Sequence, residues 1–186
     1  MTLGKPKEMW YNNKVSYGKG VYAMKRLDTE ESKQVCYQAG IAALEQYYDR
    51  QFELIKKGNT DLVTLELVML GKALDFVHLV RTRLGIELQT AESSVKDFEE
   101  VVDAFTRGVV QDNFFADETG IAKNMAAYFG LLMIANIGGT WEDTESGAAV
   151  NINGRSAYVD EYVERRLLGL SNLDALTFYN SVKLAR

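Results

Sequence analysis

The sequence predicts an α+β fold, mainly α: a helical bundle around a central apolar helix at about 118–136, with a small antiparallel β-hairpin at about 139–152. Three observations lead there. Apolar residues recur at three- and four-residue steps through most of the chain. Glycines stand where these stripes stop, at Gly58, Gly85, Gly108, Gly138 and Gly169. One segment, GTWEDTESGAAVNING at 139–154, instead carries a period-two alternation between turn-forming pairs. The competing architecture is an all-α bundle in which 139–154 is a loop.

Residues 1–27 read as an irregular basic arm, interrupted by Pro6, Asn12, Asn13, Gly18 and Gly20. VSYGKGVYAM at 15–24 suggests two short strands about Gly18-Lys19-Gly20. That glycine pair lacks the spacer and the following Ser/Thr of a phosphate loop. Residues 28–186 read as a single mainly helical domain. Asp28-Thr29-Glu30-Glu31 offers a cap for a long first helix ending at Gly58, with Val35, Ala39, Ala42, Gln46 and Tyr47 on one face. Thr60 caps a second, whose stripe is Leu62, Leu65, Met69, Ala73, Phe76 and Val80. The two form an αα-hairpin.

Thr90 opens a third helix with the stripe Val95, Phe98, Val101, Val102 and Phe105, ending at Gly108. The fourth is apolar on most sides, through Ile121, Met125, Ala126, Phe129, Leu132, Met133 and Ile137, which places it at the centre. Thr140–Asp143 extends, Ser146-Gly147 turns, Ala148, Val150 and Ile152 alternate as a half-buried strand, and Asn153-Gly154 turns again. Two helices close the chain. One carries Val159, Tyr162, Val163 and Leu167. The other follows a Ser171–Asp174 capping box and carries Leu173, Leu176, Phe178, Tyr179 and Val182.

Composition narrows the function. The chain of 186 residues has a net charge of −5, one cysteine and one histidine. One cysteine excludes an intramolecular disulfide framework and, with one histidine, disfavours structural zinc. The arm holds six basic residues against Glu8 alone, a net +5, which leaves −10 for the remainder. An acidic body disfavours nucleic acid, whose affinity rests on phosphate neutralisation. No apolar stretch follows the basic residues of MTLGKPKEMWYNNK, so no secretory leader is expected. The longest apolar run, 126–139, falls short of the roughly 20 residues of a membrane span. The expectation is a cytoplasmic protein without a membrane partner.

Catalytic signatures are missing. There is no Gly-x-Ser-x-Gly elbow and no dinucleotide fingerprint. His78, three residues after Asp75, has the step of a carboxylate–histidine metal pair, but a di-metal bundle needs a second histidine. Cys36 sits beyond the first turn of its helix, where the dipole no longer lowers a thiol pKa, and reads as a packed side chain. No cofactor and no catalytic residue is assigned; the metal candidates are Asp75 and His78, for which Glu45, Glu66, Glu99 or Glu100 could add a carboxylate to a site still incomplete. The contact candidates are Trp141, Glu142, Asp143 and Glu145 at the hairpin, with Asp160 and Glu161 on the following helix. Tyr47-Tyr48-Asp49 and the segment 158–162 are tyrosine–acid patches of the kind that protein-binding surfaces use.

Within AAYFGLLMIANIGGTWEDTESGAAVNI and the later YVERRLLGLSNLDALTFYNSVK, a Tyr-Phe-Gly step at Tyr128–Gly130 leads into Gly138-Gly139-x-Trp141, and Ser171 and Leu173 open a last helix. Residues 126–184 resemble the C-terminal part of small uncharacterised bacterial domains, a kind often found beside secreted toxins as immunity proteins. The resemblance implies a non-enzymatic protein-binding module that neutralises a partner. Its acidic surface suits a basic one, since complementary charge speeds association. The competing functions are a structural or assembly protein docking through its basic arm, and a metal-binding bundle enzyme using Asp75 and His78.

Overall fold

The computed structural model describes residues 30–112 and 120–185. The basic arm, the strand pair at 15–24 and the cap at Asp28 lie outside the described residues, as do positions 118–119 of the central helix. The described elements are α1 (Glu30–Ala39), α2 (Ile41–Lys56), α3 (Leu65–Leu84), α4 (Ser94–Asp112), α5 (Ile121–Asn136), β1 (Thr140–Thr144), β2 (Gly147–Ile152), β3 (Arg155–Ala157), α6 (Val159–Leu167) and α7 (Ala175–Leu184), with a 3-10 turn at Thr60–Leu62. The fold is α+β, mainly α.

The central helix is where its composition demands. Residues 125–134 of α5 are all buried. Its largest helix contacts are with α3 and then α6, and it also meets α1, α4 and β2. A row of rings crosses the core from α3 to α7. Phe76 meets Phe98 edge-on at 6.3 Å, Phe98 stacks on Phe129 at 4.7 Å, Phe129 meets Tyr162 at 5.4 Å, and Tyr162 stacks on Phe178 at 4.3 Å. Pairs of this kind contribute about 0.5–1.5 kcal/mol each beyond the area they bury.

Several boundaries differ from the sequence expectation. The long first helix is two, because Gly40 takes φ 93, a left-handed value that breaks the ladder. The expected stripe also falls on the wrong face: Val35, Ala39, Ala42 and Gln46 face solvent, while Cys36, Tyr37, Ile41 and Leu44 turn inward. The cap of α3 is Thr64, whose hydroxyl accepts from the Leu67 N–H at 3.2 Å; Thr60 belongs to the 3-10 turn. Gly85, in the left-handed region, ends α3 as expected. α4 begins at Ser94 and not Thr90, and it runs through Gly108 to Asp112. A single helical glycine costs only about 1 kcal/mol against alanine, which packing overrides.

The expected hairpin is the first two strands of a three-stranded antiparallel sheet, in the order β1-β2-β3. Trp141 pairs with Val150 and Thr144 with Gly147, so the tight turn is Glu145-Ser146 and not Ser146-Gly147. Asn153 (φ 53) and Gly154 (φ 80) make the second turn, both in the positive-φ region a two-residue hairpin favours. β3 pairs Val150 with Ala157 and Ile152 with Arg155. Being central and covered by α5 and α6, β2 loses clean alternation: Ala148, Ala149 and Val150 are all buried. The final helix begins after Asp174, which caps it through the Thr177 N–H at 2.7 Å. Ser171 is not the cap, and Leu173 and Leu176 stand exposed where the sequence stripe put them inside.

Candidate functional site

The six contact candidates divide between packing and solvent. The Trp141 ring lies on Gly130 of α5: a Cβ there would come within 2.6 Å of Cζ2 and closer still to Cη2. Glu142 accepts from the Asn151 amide at 2.8 Å, and hydrogen bonds from Ser156 and Asn151 hold its carboxyl below the usual range. Asp160, in the first turn of α6, accepts from the Ala148 N–H at 2.9 Å and so ties the sheet to the helix. Burial raises its carboxyl above the usual range, against the Ala148 bond and the fields of Lys72 and Lys123. Asp143 and Glu145 are exposed. Glu161 is exposed and meets Arg165 at 3.5 Å. Of the tyrosine patches, Tyr158 is exposed and Tyr162 is buried; Tyr47 and Tyr48 are half-buried.

The other chemistry-bearing side chains stand apart from these. Asp75 and His78 are both exposed on α3. Desolvation raises the Asp75 carboxyl, with His78 pulling the other way. Among the described residues no group of three or more His, Cys, Asp and Glu side chains is placed to hold a metal ion. Cys36 is buried, and burial raises its thiol, so it is not poised as a nucleophile. No helix among the described residues is long and apolar enough to cross a membrane.

The segment that stands out lies at the other end of α6. In RLLGLSNLDAL, 166–176, four leucines face solvent: Leu168, Leu170, Leu173 and Leu176 are 45, 65, 41 and 37% exposed. Four exposed leucines thus fall within nine residues of the chain, and apolar residues exposed together mark interaction sites more often than single ones do. The loop carrying them is tied down. The Leu170 N–H returns to the Arg165 carbonyl at 2.8 Å and the Gly169 N–H to Arg166 at 3.0 Å, which closes α6. The Tyr162 hydroxyl donates to the Leu173 carbonyl at 3.1 Å, and the Leu173 N–H donates to the Ser171 hydroxyl at 3.2 Å.

Arg166 anchors it. This residue lies on the buried side of α6, where a guanidinium requires partners to offset its desolvation. Its Nη2 donates to Glu99 and, at 2.9 Å, to Asp103, both on α4; its Nη1 reaches the Ser171 carbonyl at 3.4 Å. The second oxygen of Glu99 accepts from the Ala175 N–H at 2.6 Å, at the start of α7. One ionic cluster therefore fixes both ends of the loop. Along the chain Glu164 stands one turn before Leu168 and Asp174 directly follows Leu173, both exposed, as is Arg165.

The sequence contained the signal. Arginine within an apolar stripe at Tyr162, Val163, Arg166 and Leu167 calls for a buried acid, and the leucines at 168, 170, 173 and 176 fit no single helical face. Gly130 and Trp141, two residues that carry the resemblance, touch each other, a packing pair and not a chemical one. Comparison of the chain with protein-family profiles, curated proteins and solved structures gives no match.

Proposed function

We propose that this chain is a cytosolic, non-enzymatic protein-binding module whose contact face is the leucine loop at 168–176 with its acidic surround. The observation that carries the reading is the pairing of exposed leucines with a backbone held by a partly buried ionic cluster. A loop ordered before binding spares the complex part of the ordering entropy, so its apolar contacts convert more fully into affinity. The partner that fits has an apolar recess with a basic rim, which would meet Asp103, Glu164 and Asp174. A second copy fits less well, because it would bring like charges together on a body that already carries −10. The resemblance of 126–184 to immunity-protein domains supports a toxin-neutralising role.

The test is affinity capture from the native lysate with the full chain and with Leu170→Asp. A stoichiometric partner retained by the wild type, released by salt and lost at least tenfold with Leu170→Asp supports the reading. Equal capture by both proteins removes the loop from the contact face.

A further inference from the structure

The second turn of the sheet carries a reactive dipeptide. Asn153-Gly154 is the single Asn-Gly step of the chain, and both residues are exposed. Asparagine is a thermolabile side chain, because its carboxamide carbon lies one five-membered ring away from the next backbone nitrogen. A glycine in that next position has no Cβ to obstruct the ring, and the space around Gly154 is open: a Cβ built there would meet nothing within 4 Å. The turn demands these residue types, since Asn153 and Gly154 take φ 53 and 80. The geometry that joins β2 to β3 therefore sets an easily cyclised dipeptide on the surface.

The nitrogen that would attack is held. The Gly154 N–H donates to Asn151 Oδ1 at 2.9 Å. The Asn151 Nδ2 in turn donates to the Glu142 carboxylate on β1 at 2.8 Å. Together the two bonds settle which way the Asn151 amide points, because a flipped amide would set N–H against N–H and oxygen against carboxylate. Hydrogen bonds from Ser156 and Asn151 hold the Glu142 carboxyl below its usual range, so this acceptor stays charged at neutral pH. Asn151 itself sits on the central strand, paired with Thr140 on one side and Ser156 on the other.

The chemistry needs water and no other reactant. Base removes the Gly154 amide proton, the nitrogen bonds to Asn153 Cγ, and the Cγ–Nδ2 bond breaks with loss of ammonia. Water then opens the succinimide. Cleavage of the new N–Cγ bond leaves aspartate. Cleavage of the original peptide C–N bond leaves isoaspartate, with the chain running through the side chain. A Gly154 N–H that is donating to Asn151 cannot lose its proton and attack at the same time, so the bond must open first.

We propose that Asn153 is a spontaneous modification site, converting through a succinimide to aspartate and isoaspartate, and that Asn151 sets its rate by holding the Gly154 nitrogen. Both products add a negative charge at the turn. Isoaspartate also adds a backbone carbon to a two-residue turn, which breaks the register of β3. The site shares no residue with the leucine loop, so this inference and the proposed function stand or fall separately.

The test follows residue 153 in the full chain incubated at mildly alkaline pH. Proteolytic peptides are resolved by chromatography and mass into asparagine, aspartate and isoaspartate forms. Both products are expected at 153 in the folded wild type, at least fivefold more slowly than in the urea-unfolded chain. Asn151→Val removes the acceptor and keeps a strand-forming side chain, and should raise the folded rate at least fivefold. Asn151→Asp can still accept from the Gly154 N–H and should stay near the wild-type rate. Amide exchange at Arg155–Ala157 shows whether a variant has merely loosened β3; acceleration in Asn151→Val with that protection intact assigns the effect to the lost acceptor. The proposal is overturned by no product at 153 in the unfolded chain, or by a folded wild type as fast as the unfolded one. It is equally overturned if Asn151→Val and Asn151→Asp share one rate, or if the valine variant accelerates only as far as β3 loses protection.

Discussion

The two ends of α6 present opposite solutions to the same problem. At its N-terminal end the hairpin turn looks, by composition, like a contact surface, yet Trp141 packs on Gly130, Glu142 bonds Asn151, and Asp160 bonds the sheet. About 13 Å away, the length of a nine-residue helix, the 168–174 segment looks like a link between helices, yet it turns its leucines outward. Acids do the joining at both ends. The difference lies in what each joins: Asp160 locks a turn onto the core, whereas Glu99 and Asp103 lock a guanidinium that holds the loop with its apolar side chains outside.

Removing that guanidinium is the largest expected perturbation. Arg166→Ala leaves Glu99 and Asp103 facing each other and frees the Ser171 carbonyl. Breaking one side of a buried cluster costs about 3 kcal/mol or more; with Asp103 half exposed and Glu99 partly so, water screens the charges left behind and the loss should be about 2 kcal/mol. Urea unfolding would read the loss, and amide exchange should rise at Leu170 and Leu173 before it rises in the sheet. A loss below 1 kcal/mol with unchanged loop protection would mean that the loop is held by its backbone bonds alone.

At the opposite end, Gly130→Ala forces a methyl group into the Trp141 indole. Overpacking a rigid site costs about 1–3 kcal/mol, set against the roughly 1 kcal/mol that alanine returns to a helix. The net effect is destabilisation with a shifted Trp141 emission, read in a Trp10→Phe background. Trp141→Leu should relieve it. If Gly130→Ala is neutral with unchanged emission, the close approach is not a constraint on the hairpin.

The two ends also respond oppositely to pH. Bonds from the Thr177 N–H and hydroxyl hold the Asp174 carboxyl below its ordinary 3.8, so its contribution to stability is present above that value and is lost as pH falls through the depressed pKa. Asp174→Ala should cost about 1 kcal/mol at neutral pH, the usual worth of a cap, and less in acid. Burial raises Asp160 instead, so its favourable contribution is full below 3.8 and declines as pH climbs through the raised pKa. Asp160→Asn, which can still accept from Ala148, should therefore be at least as stable as wild type at pH 7, with the difference shrinking in acid. Thermal melts across pH 3–7 check both signs, and parallel slopes for the two variants would contradict the assignment.

These contrasts also explain what could be read in advance. The central helix, the Gly85 and Gly169 stops and the Asn153-Gly154 turn are local: periodicity and a required positive φ announce them. β3 escaped because three residues, Arg155–Ala157, are too few to display a period. The Gly40 break was hidden because helix-forming residues flank it on both sides, and a lone glycine inside a helical pattern is usually tolerated. Of the site, the acids were visible but not their direction. Whether Glu142 faces water depends on Asn151, and whether Leu170 does depends on a bond between Arg166 and a glutamate 67 residues earlier. No window on the sequence holds both partners of such a bond.

The smallest expected effect on stability is the one that separates the two surfaces by function. Leu170 is 65% exposed, so Leu170→Asp removes little buried area and should shift the unfolding free energy by less than about 0.5 kcal/mol. Asp143→Lys with Glu145→Lys, at the solvent-facing tip of the hairpin, should be equally silent in a melt. Their consequences for binding differ. If the leucine loop supplies the anchor and acidic charge only steers, Leu170→Asp raises the dissociation rate while the double lysine variant slows association and flattens its salt dependence. Stopped-flow association and dissociation rates on the captured partner divide the cases. A double lysine variant that loses the complex while Leu170→Asp keeps it would return the contact face to the hairpin and leave the leucines as a surface without a partner.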